Sequence, residues 1–174
     1  CGATAMLIQS IWEMGFNPAD VKWMILSHGH VDHFGAVNFF KRMFGTKIYM
    51  GEPDVKMFQE NPELALIQES GNCTEKLFDI DVSIKEGDIL TFGNTEIEFH
   101  LVPGHTQGCI ACFFDVTDGA EKKRVGYYGG FGFNTLQEEY LREIGDETLE
   151  ARKQYHHSLA SVREQKVDIF MGNH

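Results

Sequence analysis

The chain has 174 residues, 43% hydrophobic and 24% charged, with 18 Gly and 4 Pro spread along it; this is a folded domain with room for one core, not a fibrous, low-complexity or disulfide-framework chain. Its formal charge of −11 at pH 7 repels phosphate backbones, so a small molecule is the expected partner and nucleic acid is not. No apolar run reaches a membrane-spanning length and no basic-then-apolar leader opens the chain, so no membrane partner is expected.

Residues 3–14 read as a helix with Ala5, Ile8 and Trp12 on one face, ended by Gly15 before the turn at Asn17-Pro18. Val21 to Leu26 is a nearly continuous apolar run, the pattern of a strand buried on both faces. Helical spacing resumes over 32–44, where Phe34, Val37, Phe40 and Phe44 form the buried stripe. A strand is expected at 47–50 and a helix at about 55–69. From 79 to 129 the period changes to two: Ile97, Phe99 and Leu101 alternate with Glu96, Glu98 and His100, as in a strand with one wet face. Thr117-Asp118-Gly119 joins strands at 109–116 and 124–128 as a hairpin. A helix at about 147–164 turns Tyr155, Leu159 and Val162 inward, and a last strand at 167–171 runs into Gly172-Asn173-His174. Strands mixed with helices in this order indicate sheets covered by helices. Cys109 and Cys112 stand three apart in a strand and so point to opposite faces, which suits packing and not a redox or metal pair. Cys1-Gly2 and His174 read as abrupt ends of a longer natural chain, so the compartment, cytoplasm or periplasm, stays open.

The decisive segment is His28-Gly29-His30-Val31-Asp32-His33, directly after a buried strand and opening a helix. Imidazole nitrogen and carboxylate oxygen are ligands that zinc prefers. In an extended turn His28 and His30 can point the same way, whereas Asp32 and His33, once the helix begins, diverge, so one segment can serve two neighbouring ions. Two more histidines follow strands in the same manner: His105, in Pro103-Gly104-His105-Thr106, and His174. Each alone would be an ordinary loop or tail residue; the repeated strand-then-His arrangement makes both candidates. His100, among glutamates, and His156 and His157, on a helix surface, are read as solvated side chains.

These segments together resemble the metallo-β-lactamase superfamily over essentially the whole chain. The resemblance implies an α+β fold, a four-layer αββα sandwich with metals at one sheet edge. It also implies a single, incomplete domain over 1–174, because Cys1-Gly2 is similar to the end of the family's early Asp-x-Gly turn and the preceding N-terminal strands are missing. It implies two zinc ions per chain, one on His28, His30 and His105 and the other on Asp32, His33 and His174. Tyr155 to Arg163, then Val167 to Phe170, are similar to the closing helix and strand of the third subclass of metallo-β-lactamases, which uses this all-His-plus-Asp ligand set. Most other hydrolases of the superfamily carry a metal-bridging Asp where Gly130 stands, which argues against hydroxyacylglutathione hydrolases and homoserine-lactone lactonases. Lactamases of that subclass often carry serines near this point for the substrate carboxylate, and Gly130 and Gly132 supply none. Read as a phosphate loop, Gly129-Gly130-Phe131-Gly132 is a weak alternative, since it lacks the Lys and the following Ser or Thr.

The expected reaction is opening of a β-lactam amide by a metal-bound hydroxide that the catalytic Asp32 orients. Hydrolysis of an ester, thioester or lactone on the same site is the alternative, and a non-catalytic metal-binding domain is the third reading.

Overall fold

A computed structural model describes residues 3–68, 71 and 75–174; Cys1-Gly2, read above as the end of a turn, and position 69, the expected end of a helix, lie outside the described residues. The chain order is α1 (Ala3–Glu13), β1 (Trp23–Ile25), α2 (Val31–Phe34), α3 (Val37–Phe44), β2 (Lys47–Gly51), α4 (Glu52–Glu60), β3 (Val82–Ile84), β4 (Ile89–Phe92), β5 (Thr95–Leu101), β6 (Ile110–Asp118), β7 (Glu121–Tyr128), α5 (Glu138–Glu143), α6 (Glu150–Arg163) and β8 (Ile169–Gly172). Strands β1, β2 and β3 form a parallel sheet, with Met24 opposite Ile48 and Met50 opposite Ser83. Strands β4 to β8 form a second sheet in sequence order, antiparallel except where β8 lies parallel to β7.

Side-chain alternation explains the layering. On β2, Ile48 and Met50 turn to one face and pack with Phe34 and Val37 of the helices, while Tyr49 turns to the other. There Tyr49, Ile25 and Ile84 meet Phe99, Ile110 and Cys112 from the second sheet, which makes the core between the sheets. On the far face of the second sheet Ala111, Phe113 and Tyr128 pack against Leu159 and Val162 of α6. Helices, sheet, sheet and helix thus stack in the αββα order of the metallo-β-lactamase fold. Cys109 and Cys112 fall in different clusters, on opposite faces, and both are buried free thiols.

Several boundaries differ from the sequence reading. The helix expected over 32–44 is two helices, because Gly35, a weak helix former, interrupts it and its carbonyl accepts from Thr4 Oγ1 at 3.1 Å. The helix expected at 55–69 begins earlier, at Glu52, with Pro53 in its first turn, and stops before Pro62, which opens a separate 3-10 turn. Val82–Ile84 belongs to the parallel sheet and not to the antiparallel meander, since α4 serves as its crossover. On α1 the inward residues are Ile8 and Ile11, while Ala5 and Trp12 face out. Helix α5 was not anticipated.

Candidate metal centre

The loops after β1, β5, β7 and β8 gather at one edge of the sandwich, and backbone bonds fix their order. Ile110 N donates to Ser27 O at 3.0 Å and Gly129 N donates to Ile110 O at 2.9 Å, so Ser27 joins the two sheets beside the histidine segment. His30 caps α2 with an extended backbone, which leaves Asp32 and His33 in the helix's single turn.

His28 is wholly buried. Its Nδ1 lies 3.0 Å from Gly129 O. A carbonyl can only accept, so Nδ1 carries the proton and Nε2 keeps its lone pair. That Nε2 is buried with no hydrogen-bond partner. His105 is fixed in the same tautomer. The Thr135 hydroxyl donates to His105 O at 2.8 Å and therefore accepts from His105 Nδ1–H at 2.9 Å. His105 Nε2 then faces His30 Nδ1 at 3.0 Å. His28, His30 and His105 each offer an atom within 4.8 Å of the others, as do His28, Asp32 and His33. An orphaned buried nitrogen beside converging ring nitrogens is a site that a cation fits and that water-free packing does not explain.

The electrostatics agree. Burial, helped by His33, His30 and His105, pushes the His28 pKa far below the imidazole range. Burial and then His105 take His30 down to about 3, and burial takes His105 to about 4. All three are neutral at pH 7, the form that ligates a metal. A hydrogen bond from His33 lowers the Asp32 pKa to about 2, so it is a carboxylate. Its Oδ2 lies 3.2 Å from His33 Nε2.

All six expected ligands meet at this edge. The set of His28, His30 and His105 is reproduced as a buried cluster. Asp32 and His33 also cluster, but with His28 as their third member. The half-exposed His174 adjoins them, 3.2 Å from His33 Nε2 and 3.7 Å from Asp32 Oδ2. Away from the site, His100 binds Glu86 and Glu98 and is no part of it, and His156 and His157 are exposed.

Gly130 offers no carboxylate, and a Cβ there would sit 3.0 Å from Tyr128 Oη, so the tyrosine ring flanks that position. Gly132, at φ +146°, lies under His105: a Cβ would come within 2.6 Å of Cε1. Three supporting residues were not singled out from the sequence. Thr135 orients His105. Asn173 Oδ1 accepts from Phe131 N at 3.2 Å and so holds the glycine loop to the residue before His174. Asp54, buried in the first turn of α4, accepts from Gly29 N, Gly108 N and Thr106 Oγ1 at 2.7 Å each. Asp54 follows a proline at a helix start, where an Asp is ordinary; only its place on the same face as Phe58 hinted at burial.

Comparison with known proteins places this geometry. The profile of the metallo-beta-lactamase superfamily matches residues 1–119. The hydroxyacylglutathione hydrolase GloC of Haemophilus influenzae is 34% identical over 132 residues, which are 75% of this chain and 60% of that protein. BJP-1, a subclass B3 metallo-beta-lactamase of Bradyrhizobium japonicum, superposes with a TM-score of 0.79 at 26% identity over 98% of this chain and 62% of that one. The metallo-beta-lactamase GOB-18 of Elizabethkingia meningoseptica shares the fold, with a TM-score of 0.80 at 23% identity over 98% of this chain and 62% of that one. The chain thus spans about 60% of the length of these relatives.

Proposed function

The chain belongs to the metallo-beta-lactamase superfamily, and from that premise we propose that this hydrolase with a His/Asp metal site is a two-zinc enzyme that opens the amide bond of β-lactams. His28, His30 and His105 would hold one ion, and Asp32, His33 and His174 the other. The observation that carries the reading is the buried, unpartnered His28 Nε2, its tautomer set by Gly129 O, converging with His30 and His105. Bound at such a site, two divalent ions supply Lewis acidity and an activated water near neutral pH.

The chain's own residues supply the rest. His28 and His105 present Nε2 lone pairs, and neutral His30 offers one when its proton moves to the other ring nitrogen, so the three ligate without adding charge. Asp32, ionised and more than half exposed, can accept a proton or orient a water beside His33. Substrate grip is the weak element. The Gly129 and Phe131 N–H groups are already committed to Ile110 O and Asn173 Oδ1, and no side chain issues from Gly130 or Gly132 to meet a substrate carboxylate. Turnover should therefore come with a high KM.

The β-lactam reading is supported by the missing bridging carboxylate at Gly130 and by the 26% identity to BJP-1. Thioester hydrolysis is the second reading, favoured by the 34% identity to the GloC hydrolase. One panel on the zinc-loaded natural full-length protein separates them. A chromogenic cephalosporin and a carbapenem should be hydrolysed, with loss in EDTA and recovery on adding zinc. Indifference to both, with cleavage of a hydroxyacyl-glutathione thioester, would overturn the lactamase assignment and leave the metal site standing.

A further inference from the structure

We propose that Asp54 is a positioning residue for the first metal triad: its buried carboxylate ties the loop of His28 and His30 to the loop of His105 and so sets the spacing of their nitrogens. The proposal rests on reading that triad as a metal site. Asp54 Oδ2 accepts from Gly29 N and from Thr106 Oγ1 together, and Oδ1 accepts from Gly108 N. Gly29 lies between His28 and His30, and Thr106 adjoins His105. One side chain therefore bonds both ligand loops directly.

The arrangement is specific to a carboxylate. Each carboxylate oxygen accepts from a backbone N–H, Gly29 N on Oδ2 and Gly108 N on Oδ1, so an amide in either orientation would point an N–H at another N–H. Burial raises its pKa above the ordinary carboxylate value, and the three hydrogen bonds offset that rise only in part. Among the described residues it has no ion-pair partner. Keeping an unpaired charge at zero exposure is costly, and a cation on the neighbouring histidines would offset it. A plain helix-capping role does not fit, because none of the three donors belongs to α4. Close approach is built in: a Cβ on Gly108 would sit 2.6 Å from Asp54 Cγ, so only glycine lets the backbone reach the carboxylate. The network extends one step further, since the Thr106 hydroxyl, donating to Asp54, accepts from Cys109 S–H at 3.2 Å.

The test compares wild type, Asp54→Asn and Thr106→Val for zinc affinity by chelator competition, for the visible d–d spectrum of the Co(II) form, and for melting temperature without metal. Asp54→Asn should weaken binding of the first ion by about 10- to 100-fold and shift the Co(II) bands. Thr106→Val, which removes one of the three donors, should move both in the same direction by less. An Asp54→Asn protein that melts lower without metal, yet binds zinc as tightly as wild type with the same Co(II) spectrum, would show a merely structural role and overturn the proposal. Should Asp54→Asn not fold, Thr106→Val decides: unchanged affinity and spectrum overturn it. A wild type that binds neither metal would remove the triad reading itself, and this inference with it.

Discussion

Gly132→Ala tests whether the glycine loop is shaped to admit His105. The residue has φ +146°, a conformation in which a side chain is strained by about 1–3 kcal/mol. The added Cβ would also lie 2.6 Å from His105 Cε1 and 2.9 Å from Nδ1, where ordinary carbon contacts are about 3.5 Å. The ring must retreat by about 0.9 Å to restore that contact distance. Such a shift breaks the hydrogen bond from Nδ1 to Thr135, worth about 1 kcal/mol. A total near 2–4 kcal/mol corresponds to a melting temperature lowered by roughly 5–15 °C for a chain of this size. Because the displaced group is a proposed ligand, zinc affinity should fall by about tenfold or more. Calorimetric zinc titration and thermal melts, with and without EDTA, read both effects. Gly87→Ala is the control: φ is +76° with no atom within 4 Å, so it should cost about 1 kcal/mol and leave zinc binding alone. Zinc affinity of Gly132→Ala indistinguishable from wild type would refute the steric argument.

Elemental analysis of zinc-loaded protein should find two ions per chain; with no carboxylate at Gly130 to bridge them, a chelator should remove them in two separated phases, and a single concerted loss would contradict this. His174→Ala should chiefly lose the second ion, since the half-exposed ring adjoins Asp32 and His33 and not the buried triad. A third prediction concerns His100, whose pKa burial lowers but the hydrogen bonds to Glu86 and Glu98 raise further, for a net rise above 6.5. Its stabilising effect is complete below the unfolded value near 6.5 and fades as pH rises through the higher folded value. His100→Gln should therefore cost at most about 1 kcal/mol at pH 6 and less at pH 9; equal losses at both would exclude the charge effect.

The metal edge was largely legible in the sequence because its chemistry is dense. Three histidines and an aspartate in six positions, with one further histidine after each of two later strands, constrain the fold as well as the candidate ligands. Alternation likewise placed His100 outward and Phe99 inward on β5, since a period of two allows only those two faces. Asp54, Thr135 and Asn173 were not legible. Each acts through a contact with residues from 25 to 54 positions away or on a separate strand, and nothing local marks it. Helix limits failed for a different reason: α2 and α3 obey one apolar stripe, so periodicity alone cannot see the break at Gly35. The same ambiguity misplaced Trp12, because Ile8 pairs equally well with Ile11 or Trp12 at helical spacing.

The seam at which the ligand loops meet also makes metal supply a matter of lifetime. His30 and His105 come from different sheets and stand 75 residues apart in the chain. An ion held between them closes that long loop as a removable cross-link, and such closures restrict the unfolded chain most when the loop is long. Because only the folded chain assembles the cluster, a hundredfold excess of a divalent ion over its dissociation constant there would add about 2.7 kcal/mol to stability. Where that ion is scarce, the protein would open more often and meet proteases sooner, so its abundance would track the availability of the ion as well as its synthesis.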